Sequence, residues 1–175
     1  AVWACQNDNE TVIKLIAINP QSLYHLIQIP SKQTRALKLL LDTPIIGTFL
    51  YNIHTSKSTF RKVFEEKYFY NPYLIDEKDV LSYAEAAHTI DHHSKHSFTS
   101  YEGRYTNANI LHALKETDNS IYLIAGREEQ NIETTVDNYI YYNSAIEAIY
   151  IEKTKHLPHL EKPEEVISSI KLFLE

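Results

Sequence analysis

Two acidic side chains, Glu128 and Glu129, follow an apolar run that closes at Gly126, and a histidine, His156, follows a second apolar run. A carboxylate and an imidazole are the pair most often used for proton transfer near neutral pH. In a parallel sheet, catalytic groups gather where strands end at their C-terminal edge. A carboxylate after one strand and a histidine after the next would therefore share one rim. Three other features invite a chemical reading. His88, His92 and His96 recur at i, i+4, i+8 with Asp91 and His93 among them. Histidines at that spacing can bind zinc, but a metal site needs three or four converging ligands, and a polar helix face is the preferred reading. Cys5 lies in an apolar helical stretch without a neighbouring base, which favours a buried, inert thiol. His159 reads as a surface residue of a turn.

These side chains need elements to hold them. Ala1 to Gln6 looks like the tail of a helix, with Trp3 expected in the core. Thr11 to Asn19 is a nearly unbroken β-branched run closed by Pro20, the mark of a strand buried on both faces. From Gln21 to about Thr106 only helical periodicity follows. One helix spans Ser31 to Leu41, a second starts at Thr43-Pro44, a third covers Ser56 to Phe69, and Asp76 opens a fourth. Ser94 and Ser97 suggest a helix end. Ala108 to Lys115 is a short helix, Ser120 to Ala125 a strand, Ile132 to Tyr142 a helix and Ala145 to Ile151 a strand. Pro163 then sits at the first position of a closing helix. Alternating strands and helices of this kind build an α/β fold with a parallel sheet and flanking helices. Tyr68, Tyr70, Tyr73, Tyr83, Tyr101 and Tyr105 sit in the helical middle, where packing is a more ordinary role than lining a pocket.

Composition removes whole classes of function. Of 175 residues, 17 are basic and 23 acidic, a net charge of −6 that argues against a nucleic-acid partner. Gly47, Gly103 and Gly126 are the only glycines, too isolated for a dinucleotide or phosphate-binding loop. One cysteine excludes an internal disulfide framework and fits a reducing, cytoplasmic setting. No apolar run reaches the roughly 18 residues of a membrane span, so no membrane partner is expected. The sequence has no methionine. Ala1 is therefore expected to be internal to a longer polypeptide whose N-terminal part supplies further strands beside Thr11–Asn19.

At His156 the chain resembles a known family. His156, Pro158, Glu161 and Pro163 match the His-x-Pro-x-x-Glu-x-Pro stretch that follows the last strand of the α/β-hydrolases. Gly126-Arg127-Glu128-Glu129 resembles that family's Gly-x-x-acid turn, and Val12 to Pro20 its strand after the nucleophile helix. Lys155 stands where the family usually has glycine, and its acid is more often Asp than Glu.

The resemblance implies the C-terminal half of the fold, with residues 1–20 and 107–175 as partial core and 21–106 as a helical lid inserted into it. It implies a Ser–acid–His triad in that chain order. His156 would be the base and Glu129 the acid, with Glu128 an open alternative. The serine would lie a few residues upstream of Ala1, on a G-x-S-x-G elbow. The intact protein would be an esterase-like serine hydrolase acting on a small or medium acyl ester, and the 175 residues alone would be inactive. No cofactor is implied, and a homodimer stays open. The same scaffold also runs dehalogenation, nitrile-lyase and C–C cleavage chemistry. The alternative of another class is a hydrolase-like chain that binds a small molecule or a partner without catalysis.

Overall fold

The computed structural model describes residues 1–8, 10–89 and 94–175. In chain order the elements are α1 (Val2–Asn7), β1 (Lys14–Ile18), α2 (Leu23–Leu26), α3 (Lys32–Asp42), α4 (Ile46–His54), α5 (Lys57–Val63), α6 (Glu77–His88), α7 (Ser94–Glu102) and α8 (Leu111–Glu116). They continue with β2 (Ser120–Gly126), α9 (Ile132–Tyr142), β3 (Glu147–Ile151), α10 (Pro158–Glu161) and α11 (Pro163–Leu174). A π-helical turn spans Phe64–Tyr68 and a 3₁₀ turn Pro72–Leu74. The chain divides into two compact units. The first holds residues 1–27, 67–71 and 109–175, and the second holds 28–66 and 72–108.

The first unit is built on a parallel three-stranded sheet of order β1-β2-β3. Lys14 pairs with Ser120 and Ile18 with Ile124, while Tyr122 pairs with Glu147 and Gly126 with Ile151. Side chains alternate across a strand, and β2 uses both faces. Ile121, Leu123 and Ala125 enter a cluster with Leu23, Leu114, Ile132, Val136 and Tyr139. Ile124, on the opposite face, packs with Ile151, Val166 and Phe173. Helices α2, α8 and α9 thus serve one face and α11 the other. That explains why β2 reads as a continuous apolar run.

In the second unit α3 starts on a full capping box, in which the Ser31 hydroxyl accepts the Thr34 N–H and Thr34 Oγ1 accepts the Ser31 N–H. Lys95 is only 6% exposed, and its ammonium donates to the carbonyls of Asp42 and Thr43 and to the Thr48 hydroxyl. It closes the C-terminal end of α3, where unpaired carbonyls attract a cation. Among the described residues no helix is long and apolar enough to cross a membrane.

Several expectations are corrected. Strand β1 covers only Lys14–Ile18, and all five residues are half-buried rather than buried on both faces. Among the described residues it is paired on one edge, with β2. Trp3 is 49% exposed, because α1 turns Cys5 and Val2 inward instead. Thr43 ends α3 rather than opening α4, which begins at Ile46. Its hydroxyl still accepts the Gly47 N–H at 3.0 Å, so it caps from outside the helix. Ser94 starts a helix and Ser97 lies within it. The third predicted helix passes into the π-helical turn at Phe64.

Candidate active site

Three strand ends meet at one rim. After β2, the turn from Gly126 is closed by Glu129 N–H to the Gly126 carbonyl at 3.1 Å. The N–H of Arg127 donates to Ile151 O at 3.0 Å and that of Glu128 to Thr154 O at 2.9 Å, which fastens this turn to the segment after β3. The approach is so close that a Cβ on Gly126 would fall 1.9 Å from the Lys155 carbonyl oxygen. Glycine is required there for its missing side chain.

Asn19, at the end of β1, ties the other two ends together. Its Oδ1 accepts the Gly126 N–H at 2.8 Å, and its Nδ2 donates to the carbonyls of Lys155 at 2.7 Å and His156 at 2.8 Å. Its backbone is left-handed, at φ 43°, a region in which asparagine is tolerated better than most residues. Spacing gave Asn19 no role. The only signal was an amide side chain at a predicted strand end, next to proline.

This scaffold brings the predicted pair together. Nδ1 of His156 lies 3.3 Å from Oε1 of Glu129, with side chains 40% and 24% exposed. A charge-assisted pair at full strength would be nearer 2.7–2.9 Å, and an ion pair this exposed is worth at most about 1 kcal/mol. Its value is orientation. With Nδ1 protonated the ring donates to Glu129, and Nε2 is left as the basic nitrogen. Glu128 is exposed and contributes its backbone, not its carboxylate, to the rim.

Two further residues were overlooked as contributors. The Tyr68 ring stacks on the His156 imidazole, with centroids 4.7 Å apart and planes 29° from parallel. Glu161 is 6% exposed, and its carboxylate accepts three backbone N–H groups: Lys155 on Oε1 at 2.8 Å, and Tyr70 and Asn71 on Oε2 at 2.7 and 3.2 Å. A buried carboxylate is tolerated when donors surround it. Glu161 belonged to the predicted His-x-Pro-x-x-Glu-x-Pro stretch, but its bonding could not be read from spacing.

The other candidates lie elsewhere. His88 uses Nδ1 with the Ala84 carbonyl at 2.8 Å and Nε2 with the Thr55 hydroxyl at 3.2 Å. His96 is 3.8 Å from the Asp42 carboxylate. Asp91, His92 and His93 fall outside the described residues. Among the described residues no three His, Cys, Asp or Glu side chains group as metal ligands. Cys5 is a buried free thiol. His159 is half-buried within α10 rather than a surface residue of a turn.

No family model and no curated protein matches the sequence. Solved structures do. A serine hydrolase from the polyaromatic-hydrocarbon-degrading bacterium Cycloclasticus zankles is similar over 99% of this chain and 59% of its own, at 14% identity and a TM-score of 0.65. The epoxide hydrolase CorEH is similar over 97% of this chain and 61% of its own, with 14% identity and a TM-score of 0.64. The 2-hydroxy-6-oxo-6-phenylhexa-2,4-dienoate hydrolase of Rhodococcus sp. strain RHA1 is similar over 97% and 57%, with 14% identity and a TM-score of 0.62. The fold is a partial α/β-hydrolase fold. The chain spans about three-fifths of the length of these structures. Within this α/β-hydrolase framework, the rim that holds Glu129 and His156 is the edge where strands end, and Asn19, Gly126 and Glu161 hold its loops.

Proposed function

We propose that the intact protein is a serine hydrolase of the α/β-hydrolase type, esterase-like, cleaving a small or medium acyl ester. The observation that carries this reading is the 3.3 Å approach of Glu129 Oε1 to His156 Nδ1, at the ends of two adjacent parallel strands. The roles proposed are those the family resemblance implies, and that geometry supports them. Glu129 holds the tautomer with the proton on Nδ1 and steadies the imidazolium. Nε2 removes the proton from a serine hydroxyl as its oxygen attacks the acyl carbonyl. It then returns that proton to the departing alcohol as the tetrahedral adduct collapses to an acyl-enzyme. Water repeats the sequence, giving its proton to Nε2 and releasing the acid.

By the family resemblance at His156, the serine elbow is proposed to lie a few residues upstream of Ala1, and the 175 residues by themselves are expected to be inactive. Residues 21–106 are proposed as the lid that sets specificity and excludes water from the acyl-enzyme. The single buried thiol, Cys5, supports a reducing, cytoplasmic setting.

The test is hydrolysis of short-chain p-nitrophenyl esters by the full-length protein and its His156→Ala variant. A loss of at least about 10³-fold in kcat, with the melting temperature retained, is expected. Undiminished turnover in the variant would overturn the reading.

A further inference from the structure

We infer that Tyr68 is a positioning residue for the His156 base, seated by the Glu161 carboxylate. This rests on the hydrolase reading above. In sequence Tyr68 lies among the helices of the predicted lid, yet residues 67–71 pack as part of the sheet-bearing unit.

Five contacts stitch this segment to the histidine loop. Glu161 accepts Lys155 N–H with one oxygen and the N–H groups of Tyr70 and Asn71 with the other. The Leu157 N–H donates to the Tyr68 carbonyl at 3.3 Å. The Tyr68 ring then lies against the imidazole at 4.7 Å. Glu129 Oε1 meets Nδ1 at 3.3 Å and so favours the tautomer with the proton on that nitrogen. One hydrogen bond at that distance still lets the imidazole swing about its side-chain torsions. Tyr68 covers one face and blocks that swing.

The two constraints act on different degrees of freedom, and both are needed to aim Nε2. The same aromatic face also meets the imidazolium formed when the proton is taken up. The stacking contact is made by the ring, so phenylalanine should serve and an aliphatic side chain should not. Displacing a reacting group by about 1 Å can cost on the order of 10²-fold in rate.

The experiment uses the full-length protein and two readouts. In the wild-type protein, proton NMR should show His156 ring protons shifted upfield by the Tyr68 ring and cross-relaxing with it. Absence of both would overturn the inference without any variant. Tyr68→Leu should move those protons downfield and lower kcat for a p-nitrophenyl ester by about 10- to 100-fold, with KM changed less than about twofold. Tyr68→Phe should restore the upfield shift and the rate. Glu161→Gln, which turns an amide N–H toward a backbone N–H, should reproduce the leucine signature in part. Equal rates for Tyr68→Leu and wild type, or a phenylalanine variant as poor as the leucine one, would sink it. A failure of the hydrolase reading itself would show separately, as His156→Ala retaining full turnover while the wild-type protein still shows the ring-proton shifts.

Discussion

Asn19 Nδ2 donates to the His156 carbonyl at 2.8 Å, so the residue just past the first strand holds the backbone of the loop that follows the third. The same side chain holds Lys155 and Gly126. Asn19→Ala removes three hydrogen bonds at once and leaves part-buried carbonyls without that donor. A destabilisation of about 2–4 kcal/mol is expected, read as a fall in melting temperature of roughly 2–4 °C per kcal/mol for a domain of this size. Ester turnover should fall with it. A variant as stable and active as wild type would remove Asn19 from the scaffold of the site.

Glu129 and Glu128 are adjacent in sequence and separated by geometry. Glu129→Gln should lower kcat by about 10²–10⁴-fold by losing the tautomer with the proton on Nδ1, whereas Glu128→Gln should change it less than about twofold. Steady-state kinetics of the two variants of the full-length protein decide the matter. Equal effects would mean the acid lies elsewhere.

Gly126 is closed off by backbone. Its added methyl would meet the Lys155 carbonyl oxygen and carbon and the Thr154 carbonyl oxygen, none of them the end of a flexible side chain. Gly126→Ala should therefore cost at least about 3 kcal/mol. A urea midpoint equal to wild type would show that the two loops separate more easily than their contacts imply.

At the centre of the sheet, Leu123 is 1% exposed among Leu114, Val136 and Ile121. Leu123→Ala should cost about 2–5 kcal/mol through lost transfer energy and the cavity left behind. A loss under 1 kcal/mol, measured by chemical unfolding, would contradict the packing described.

Asp42 sets an acid limit for the second unit. Burial pushes its carboxyl up, but hydrogen bonds from Lys38 and Thr99 and the charges of Lys38 and His96 outweigh this and hold it below the usual 3.8. A carboxylate lowered on folding adds stability that is complete above its unfolded value near 4 and vanishes as pH falls through the lower folded value. Asp42→Asn should accordingly be less stable than wild type at pH 6, and the difference should shrink as pH falls below about 4. A difference that is unchanged across that range would refute the linkage.

Tyr139 works at the opposite end of the scale. Burial raises its phenol to about 12, and its hydroxyl donates to the Gln21 carbonyl at 3.0 Å. A group raised on folding gives stability that is whole below about 10 and lost as pH climbs toward 12. Tyr139→Phe should flatten that alkaline loss in urea titrations between pH 9 and 12.

Read alone, the residues determined the elements whose information is local. The unbroken run Ile121–Ala125 announced a strand buried on both faces, because each face demands an apolar side chain at every second position. Pro163 and the 3.6-residue periodicity beyond it announced α11, because proline's fixed φ suits a first turn and nowhere later in a helix. The tertiary structure decided whatever depends on direction or on a partner far along the chain. It brought the Glu129 carboxylate, and not that of Glu128, to an imidazole 27 residues away, since two neighbouring side chains leave a turn in different directions. It turned Trp3 outward, because periodicity identifies a helix but not which neighbour will cover it. It joined Tyr68 and Glu161 to the histidine loop through backbone N–H groups, and those donors are present in every residue and so leave no trace in residue types.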